Sequence, residues 1–223
     1  MPKNGYSKAE GLFLGWVGKN KEIMMFSELL DKVVILLESP LKFKIFFMKL
    51  IFLGPPGAGK GTQAEIISKK LNLKKISTGD ILREEMERGT ELGKIAKSYM
   101  EKGELVPDEI MIKIIENNIK NLDGFILDGF PRTLNQAIEL EKITKIDKVI
   151  YLNVSDDEIK KRLLNRGRLD DKPEVIENRI KIYREQTQPL IEFYKGKGVL
   201  YEINGIGTIE EITKRIEEIL HER

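Results

Sequence analysis

From Met48 onward, short apolar runs alternate with longer stretches whose apolar residues recur every three or four positions. "KLIFLG", "GFILDG", "KVIYLNV" and "VLYEING" are too short for helices and mostly bounded by glycine or polar residues, as buried parallel strands are. "KGTQAEIISKKLN", "GDILREEMERG", "LGKIAKSYMEKG", "PDEIMIKIIENNIKNL" and "TLNQAIELEKIT" carry helical spacing instead. Ser155-x-x-Glu158 and Thr208-x-x-Glu211 read as capping boxes that open two further helices. One long helix is expected from about Pro173 to Tyr194. This alternation predicts an α/β fold, a doubly wound parallel sheet flanked by helices, with ligands at the carboxyl ends of the strands.

Residues 1–47 break the pattern. Glycines scatter through "PKNGYSKAEGLFLGWVGKNKE", and "IMMFSELLDKVVILLES" reads as one short helix. Glu28, Asp31 and Lys32 interrupt its apolar run and no small-residue cleavage site follows, which argues against a secretory signal. The expected organisation is an N-terminal extension over 1–47 and one domain over 48–223.

Composition narrows the chemistry. A net charge of +2, with 33% charged residues, gives no whole-molecule attraction to nucleic acid or membrane. No run reaches the about 18 apolar residues of a spanning helix. With no cysteine and one histidine, His221, the chain offers no thiolate nucleophile, no cysteine-held zinc and no histidine metal cluster. The expectation is a soluble, cytoplasmic monomer with small-molecule partners. Arginine is scarce: 10 of 38 basic residues, so each arginine is informative, because its planar fork suits bidentate phosphate contacts.

Gly54-Pro55-Pro56-Gly57-Ala58-Gly59-Lys60-Gly61-Thr62 matches G-x-x-x-x-G-K-[ST] between an expected strand and an expected helix. Glycines let backbone N–H groups close on phosphate oxygens, and the helix N-terminus adds its dipole. Lys60 is placed to reach the β- and γ-phosphates and the Thr62 hydroxyl to ligate Mg²⁺. The loop marks a nucleoside triphosphate site without naming a reaction. Thr144-Lys145-Ile146-Asp147 has the letters of a guanine-reading motif, but it precedes a strand and reads as a linker. A kinase acting on a second nucleotide needs a second anion site. "ISTGDILRE" supplies Thr78, Asp80 and Arg83, while "LDGFPRTLNQA" supplies Asp128, Arg132 and Gln136.

With GPPGAGKGTQA, STGDILR, GELVPDE, LDGFPRT, RLLNRGRLDD and the later Arg179 before QTQPLI, the chain resembles the adenylate kinase family from Met48 to about Leu220. The resemblance implies a P-loop sheet with a small helical segment for the nucleoside monophosphate over about 77–106 and a short lid over about 165–172. It implies reversible Mg-dependent transfer, ATP + AMP = 2 ADP. Uridylate/cytidylate kinases share the scaffold, but tend to carry Ala at the position of Thr78 and Asn near that of Gln136. A nucleotide-binding regulator that keeps the cradle without the transfer is the alternative of a different class.

Carried over position by position, the resemblance assigns Gly57, Ala58, Gly59, Lys60, Gly61, Thr62, Arg162, Arg166 and the Gly207 backbone to ATP. Thr78, Arg83, Glu104, Leu105, Val106, Gly129, Phe130, Pro131, Arg132, Gln136, Arg168 and Arg179 would hold AMP, with Gln136 reading the adenine edge. Lys60, Arg132, Arg166, Arg168 and Arg179 would surround the transferred phosphoryl, and Asp128 would orient water around Mg²⁺. For Gln136 and Arg162, the residues alone also allow a capping box with Thr133 and a surface salt bridge, respectively. The attacking phosphate oxygen is already anionic, so no general base is required and alignment plus electrostatics suffice. One glycine separates Arg166 from Arg168, where many bacterial relatives insert a long lid, so the lid here is expected without zinc. Asp170 and Asp171 are expected to pair with these arginines.

Overall fold

The computed structural model describes residues 47–167 and 171–221. The helix expected near residues 23–39 and the lid residues Arg168, Leu169 and Asp170 lie outside the described residues.

Five strands form one sheet: β1 (Lys49–Leu53), β2 (Lys74–Ser77), β3 (Phe125–Asp128), β4 (Lys148–Asn153) and β5 (Leu200–Asn204). Their order is β2-β3-β1-β4-β5, and every pairing is parallel. Among the described residues the helices are α1 (Lys60–Leu71), α2 (Thr78–Glu87), α3 (Glu91–Met100), α4 (Asp108–Ile119), α5 (Leu134–Ile143), α6 (Asp156–Arg166), α7 (Pro173–Ile182), α8 (Pro189–Gly196) and α9 (Ile209–His221).

Alternation along β1 builds two cores. Leu50 and Phe52 face one layer, with Ile67 of α1, Leu163 of α6, Ile176 of α7 and Ile216 of α9. Ile51 and Leu53 face the other, with Ile115 of α4, Leu140 of α5 and Leu190 and Tyr194 of α8. Successive strand residues point to opposite faces, so a strand buried on both sides must be apolar throughout, as "LIFL" is. Each fully buried aliphatic side chain contributes about 1.5–3 kcal/mol, and that burial is the main term fixing the three layers.

Three local expectations change. β2 carries only one deeply buried apolar residue, Ile76, after Lys74 and Lys75, too little pattern to announce a strand. It lies at the sheet edge, where lysine is common because it discourages further pairing. The long helix from Pro173 is interrupted by a π-helical turn, Tyr183–Thr187, closed by Gln188 N–H to Tyr183 O at 2.8 Å. Pro189 has no N–H to continue an α-helical ladder, and the wider turn precedes it. Ser155 is the N-cap of α6, but its side chain makes no capping bond; Arg162 Nε takes Glu158 Oε1 at 2.7 Å instead.

The box at Thr208 does form: Thr208 N–H donates to Glu211 Oε2 at 2.9 Å and Glu211 N–H to Thr208 Oγ1 at 3.2 Å. Thr144–Asp147 is a linker as expected. Asp147 Oδ2 accepts from Lys49 N–H at 2.8 Å and Thr144 Oγ1 from Lys49 Nζ at 2.8 Å, at the amino end of β1. That end is opposite the phosphate loop.

Candidate active site

The carboxyl ends of β1 and β3 open into a cleft of about 860 Å³. Register places Phe52 beside Asp128, so the loop leaving β1 runs alongside the carboxylate that ends β3. That loop passes through Gly57 at φ +83° and Gly59 at φ +94°, in the left-handed region that glycine adopts without strain. Gly57 has a second reason. A Cβ there would lie 2.9 Å from Leu163 Cγ and 3.2 Å from Ile159 O, because α6 packs directly on the loop. Helix α1 starts after Gly59 with no side-chain cap, which leaves its N-terminal N–H groups facing the cleft for an anion.

Lys60 folds back onto its own loop, donating to Gly54 O at 2.7 Å and Pro55 O at 2.8 Å. Burial is the largest influence on it and lowers its pKa to about 7; Asp128 opposes that shift, while Arg132, Arg179 and Arg166 add to it. The residue keeps some exposed surface in the cleft, while its ammonium is held by two loop carbonyls and feels the positive charge of three arginines. Such a concentration of positive charge is a site for a polyanion.

Arg166 and Arg179 converge on one carboxylate. Asp171 Oδ2 and Oδ1 accept from Arg166 Nε and Nη2 at 2.8 and 2.6 Å, and Oδ1 also accepts from Arg179 Nη1 at 3.1 Å. The expected pairing of Asp171 with the arginines is therefore present; Asp170 lies outside the described residues.

A second, narrower pocket adjoins the cleft and is lined by Thr78, Glu104, Leu105, Val106, Met111 and Gln136. Thr78 Oγ1 donates to Gly129 O at 2.9 Å, and Arg132 Nε donates to the same oxygen at 2.8 Å. Gly129, at φ +81°, allows this: a Cβ there would stand 2.8 Å from the Thr78 hydroxyl. Arg83 is paired with Asp80. Partial burial works to raise the Asp80 carboxyl pKa, but hydrogen bonds from Arg83 and Ser77 overcome it and hold it below the usual range. Pro131 lines the main cleft, whereas the Phe130 side chain is buried in the core.

On the other side, Arg162 does more than pair with Glu158. Its Nη2 donates to Gly205 O at 3.0 Å and its Nη1 reaches Ala58 O at 3.5 Å, joining α6, the phosphate loop and the loop after β5. Gly207 lines the cleft there.

Three residues around the site were not singled out from sequence. Arg215 lies outside the motifs, yet its Nη1 donates to Asn204 O at 2.8 Å and Ile206 O at 2.7 Å, fixing the loop that carries Gly207. Gln63, buried on α1, donates to Ile209 O and accepts from Thr213, tying α9 to the helix that follows the phosphate loop. Thr187, in the π turn, donates to Arg132 O at 2.8 Å. Each acts through contacts at least nine positions away in the chain, which local patterning does not register.

The family model described as adenylate kinase matches residues 52–199. The chain belongs to the adenylate kinase family. Curated relatives agree with it. "Adenylate kinase" of Leptospira biflexa is 53% identical over 180 residues, covering 75% of this chain and 97% of the relative. "Adenylate kinase" of Prochlorococcus marinus (strain SARG) is 50% identical, with 77% and 98% covered. "Adenylate kinase" of Archaeoglobus fulgidus is 45% identical, with 78% and 98% covered. An adenylate kinase is a nucleoside monophosphate kinase, so the two joined pockets belong to a phosphoryl-transfer enzyme. No helix among the described residues is long and apolar enough to cross a membrane.

Proposed function

We propose that this enzyme catalyses MgATP + AMP ⇌ 2 ADP, with ATP in the main cleft and AMP in the adjoining pocket. One observation carries the reading: Arg132 and Arg179 line both cavities, at the place where a phosphoryl group would pass between nucleotides.

The mechanism follows from charge. Two nucleotides bring together about six negative charges, and the cluster of Lys60, Arg132, Arg166 and Arg179, with Arg168 expected beside it, offsets them and aligns the reacting oxygens. Lys60 would release the Gly54 and Pro55 carbonyls to meet the β- and γ-phosphates. Arg83 and Arg132 would hold the AMP phosphate, and Gln136 would face the adenine edge. The Gly207 loop and Arg162 would frame the donor base. Burial keeps the Tyr183 phenol, in the cleft wall, far above its ordinary pKa, so it supplies no base, and transfer from an anionic phosphate needs none.

Thr62 and Asp128 both line the cleft, and a Cβ on Gly61 would approach Asp128 Oδ2 to 3.1 Å, so the carboxylate that ends β3 stands beside the start of α1, where Thr62 lies. Hard oxygen donors suit Mg²⁺, which completes its shell with waters and phosphates. Among the described residues no group of three or more acidic, histidine or cysteine side chains forms a metal cage of its own. Thr62 and Asp128, the latter through water, would hold Mg²⁺ with the donor nucleotide, and the ion would supply neutralisation of developing charge.

The test is an acceptor panel: ADP formation from MgATP with AMP, CMP, UMP and GMP supplied separately. AMP should be the preferred acceptor. Transfer confined to CMP or UMP would replace this acceptor assignment with that of a pyrimidine nucleotide kinase. No transfer to any acceptor would favour a nucleotide-binding regulator.

A further inference from the structure

Gln136 is 2% exposed, and both ends of its carboxamide are already engaged. Its Oε1 accepts the Arg132 backbone N–H at 2.7 Å, and its Nε2 donates to Asp108 Oδ1 at 2.7 Å. A backbone N–H can only donate and a carboxylate only accept, so the amide has one orientation compatible with both partners. The carboxylate is itself fixed. Asp108 opens α4, and its Oδ2 accepts from Thr133 Oγ1 at 2.8 Å and Asn135 Nδ2 at 2.9 Å. The Thr133 hydroxyl in turn accepts Gln136 N–H at 3.1 Å, closing the network around the carboxylate.

After these bonds, the carboxamide retains one lone pair on Oε1 and one hydrogen on Nε2. Adenine presents an amine donor at C6 beside the N1 acceptor, which is complementary to that remaining pair. A 6-oxopurine presents the reverse, a carbonyl acceptor at C6 beside an N1–H donor. To read a 6-oxopurine in the same pose, the amide would have to flip. Its oxygen would then oppose the Asp108 carboxylate and its NH₂ the Arg132 N–H, with too little water contact to relieve either.

We infer that Asp108 is a specificity-determining positioning residue: by locking the Gln136 carboxamide, it makes the acceptor pocket select 6-amino over 6-oxo purine nucleoside monophosphates. The inference rests on the reading of Gln136 as the residue that faces the acceptor base.

The experiment compares kcat/KM for AMP and inosine 5′-monophosphate, which differ at C6 without an added 2-amino group, in four proteins. The wild type should prefer AMP strongly. Asp108→Asn relieves one of the two constraints on the amide and should shrink the AMP-to-inosine ratio by about tenfold or more, with KM for ATP within about twofold. Asn135→Ala removes another donor to Asp108 but leaves the lock, and should keep the ratio within about twofold of wild type. Gln136→Leu should collapse the ratio. An unchanged ratio in Gln136→Leu would show that the base is read elsewhere, and both the reading and the inference would fall. A collapsed ratio in Gln136→Leu with an unchanged ratio in Asp108→Asn, or an equal loss in Asn135→Ala, would overturn the inference alone. A wild-type crystal structure with AMP supplies a test that does not depend on how a variant folds. Gln136 Nε2 should stay within hydrogen-bond distance of Asp108 Oδ1, and a broken contact there would also overturn the lock.

Discussion

The Asp171 carboxylate, 1% exposed, grips the Arg166 guanidinium through two parallel hydrogen bonds of 2.6 and 2.8 Å, while holding Arg179 by a third. It thus supplies negative charge to two arginines that, in the proposed reaction, would turn to phosphate.

Asp171→Ala should destabilise the nucleotide-free enzyme by about 2–4 kcal/mol, because it leaves two neighbouring guanidinium groups without that counter-charge. A bound triphosphate replaces the missing charge. Thermal unfolding should therefore show a large loss of Tm without nucleotide and a smaller one with saturating ATP. Equal losses in both conditions would mean that the carboxylate only supports packing.

Lys60 gives a pH signature with a definite sign. Its pKa falls from 10.5 to about 7 on folding, chiefly through burial, so between these values the unfolded chain binds the extra proton. The charged residue opposes folding most below pH 7, and that opposition fades as pH rises toward 10.5. Lys60→Met should abolish transfer yet unfold at a higher temperature than wild type near pH 7, with the gap closing by pH 10. A gap that stays constant across this range would show that the lysine does not titrate there. Phosphate binding should restore the proton, so calorimetry at pH 8 in two buffers of different ionisation enthalpy should register proton uptake on binding ATP.

Two loop glycines should respond differently to alanine. Both have positive φ, but a Cβ on Gly59 meets nothing within 4 Å, whereas one on Gly57 strikes Leu163. Gly59→Ala should cost about 1–2 kcal/mol from backbone strain alone. Gly57→Ala should cost more and displace α6, carrying Arg162 and Arg166 away from the cleft. Denaturant unfolding ranks the two variants, and the reverse order would contradict the contact between α6 and the loop.

Much of this was legible in the sequence, for physical reasons that differ by residue. The strands "KLIFLG" and "KVIYLNV" announce themselves because a strand buried on both faces has no polar choice. The phosphate loop is readable because its geometry demands glycine at fixed spacings. β2 was not, since an edge strand with two lysines buries too little to leave a pattern. The π turn was hidden because Thr187 and Pro189 sit inside an otherwise helical period, and only the bond to Arg132 O shows what the turn presents. Asp108 reads as an ordinary acidic residue at a helix start, although its partners lie 25 to 28 positions away. Ser155 misled for a related reason: the letters of a capping box were present, but Arg162 was a stronger partner for Glu158.

The central claim is that two adenine nucleotide sites share one set of phosphate-facing arginines, and purified enzyme given ADP and Mg²⁺ alone tests it most directly. Separation of the nucleotides over time should show ADP converted to equal amounts of ATP and AMP, with conversion stopped by removal of Mg²⁺. Persistence of ADP unchanged, or its conversion to AMP and inorganic phosphate without ATP, would contradict it.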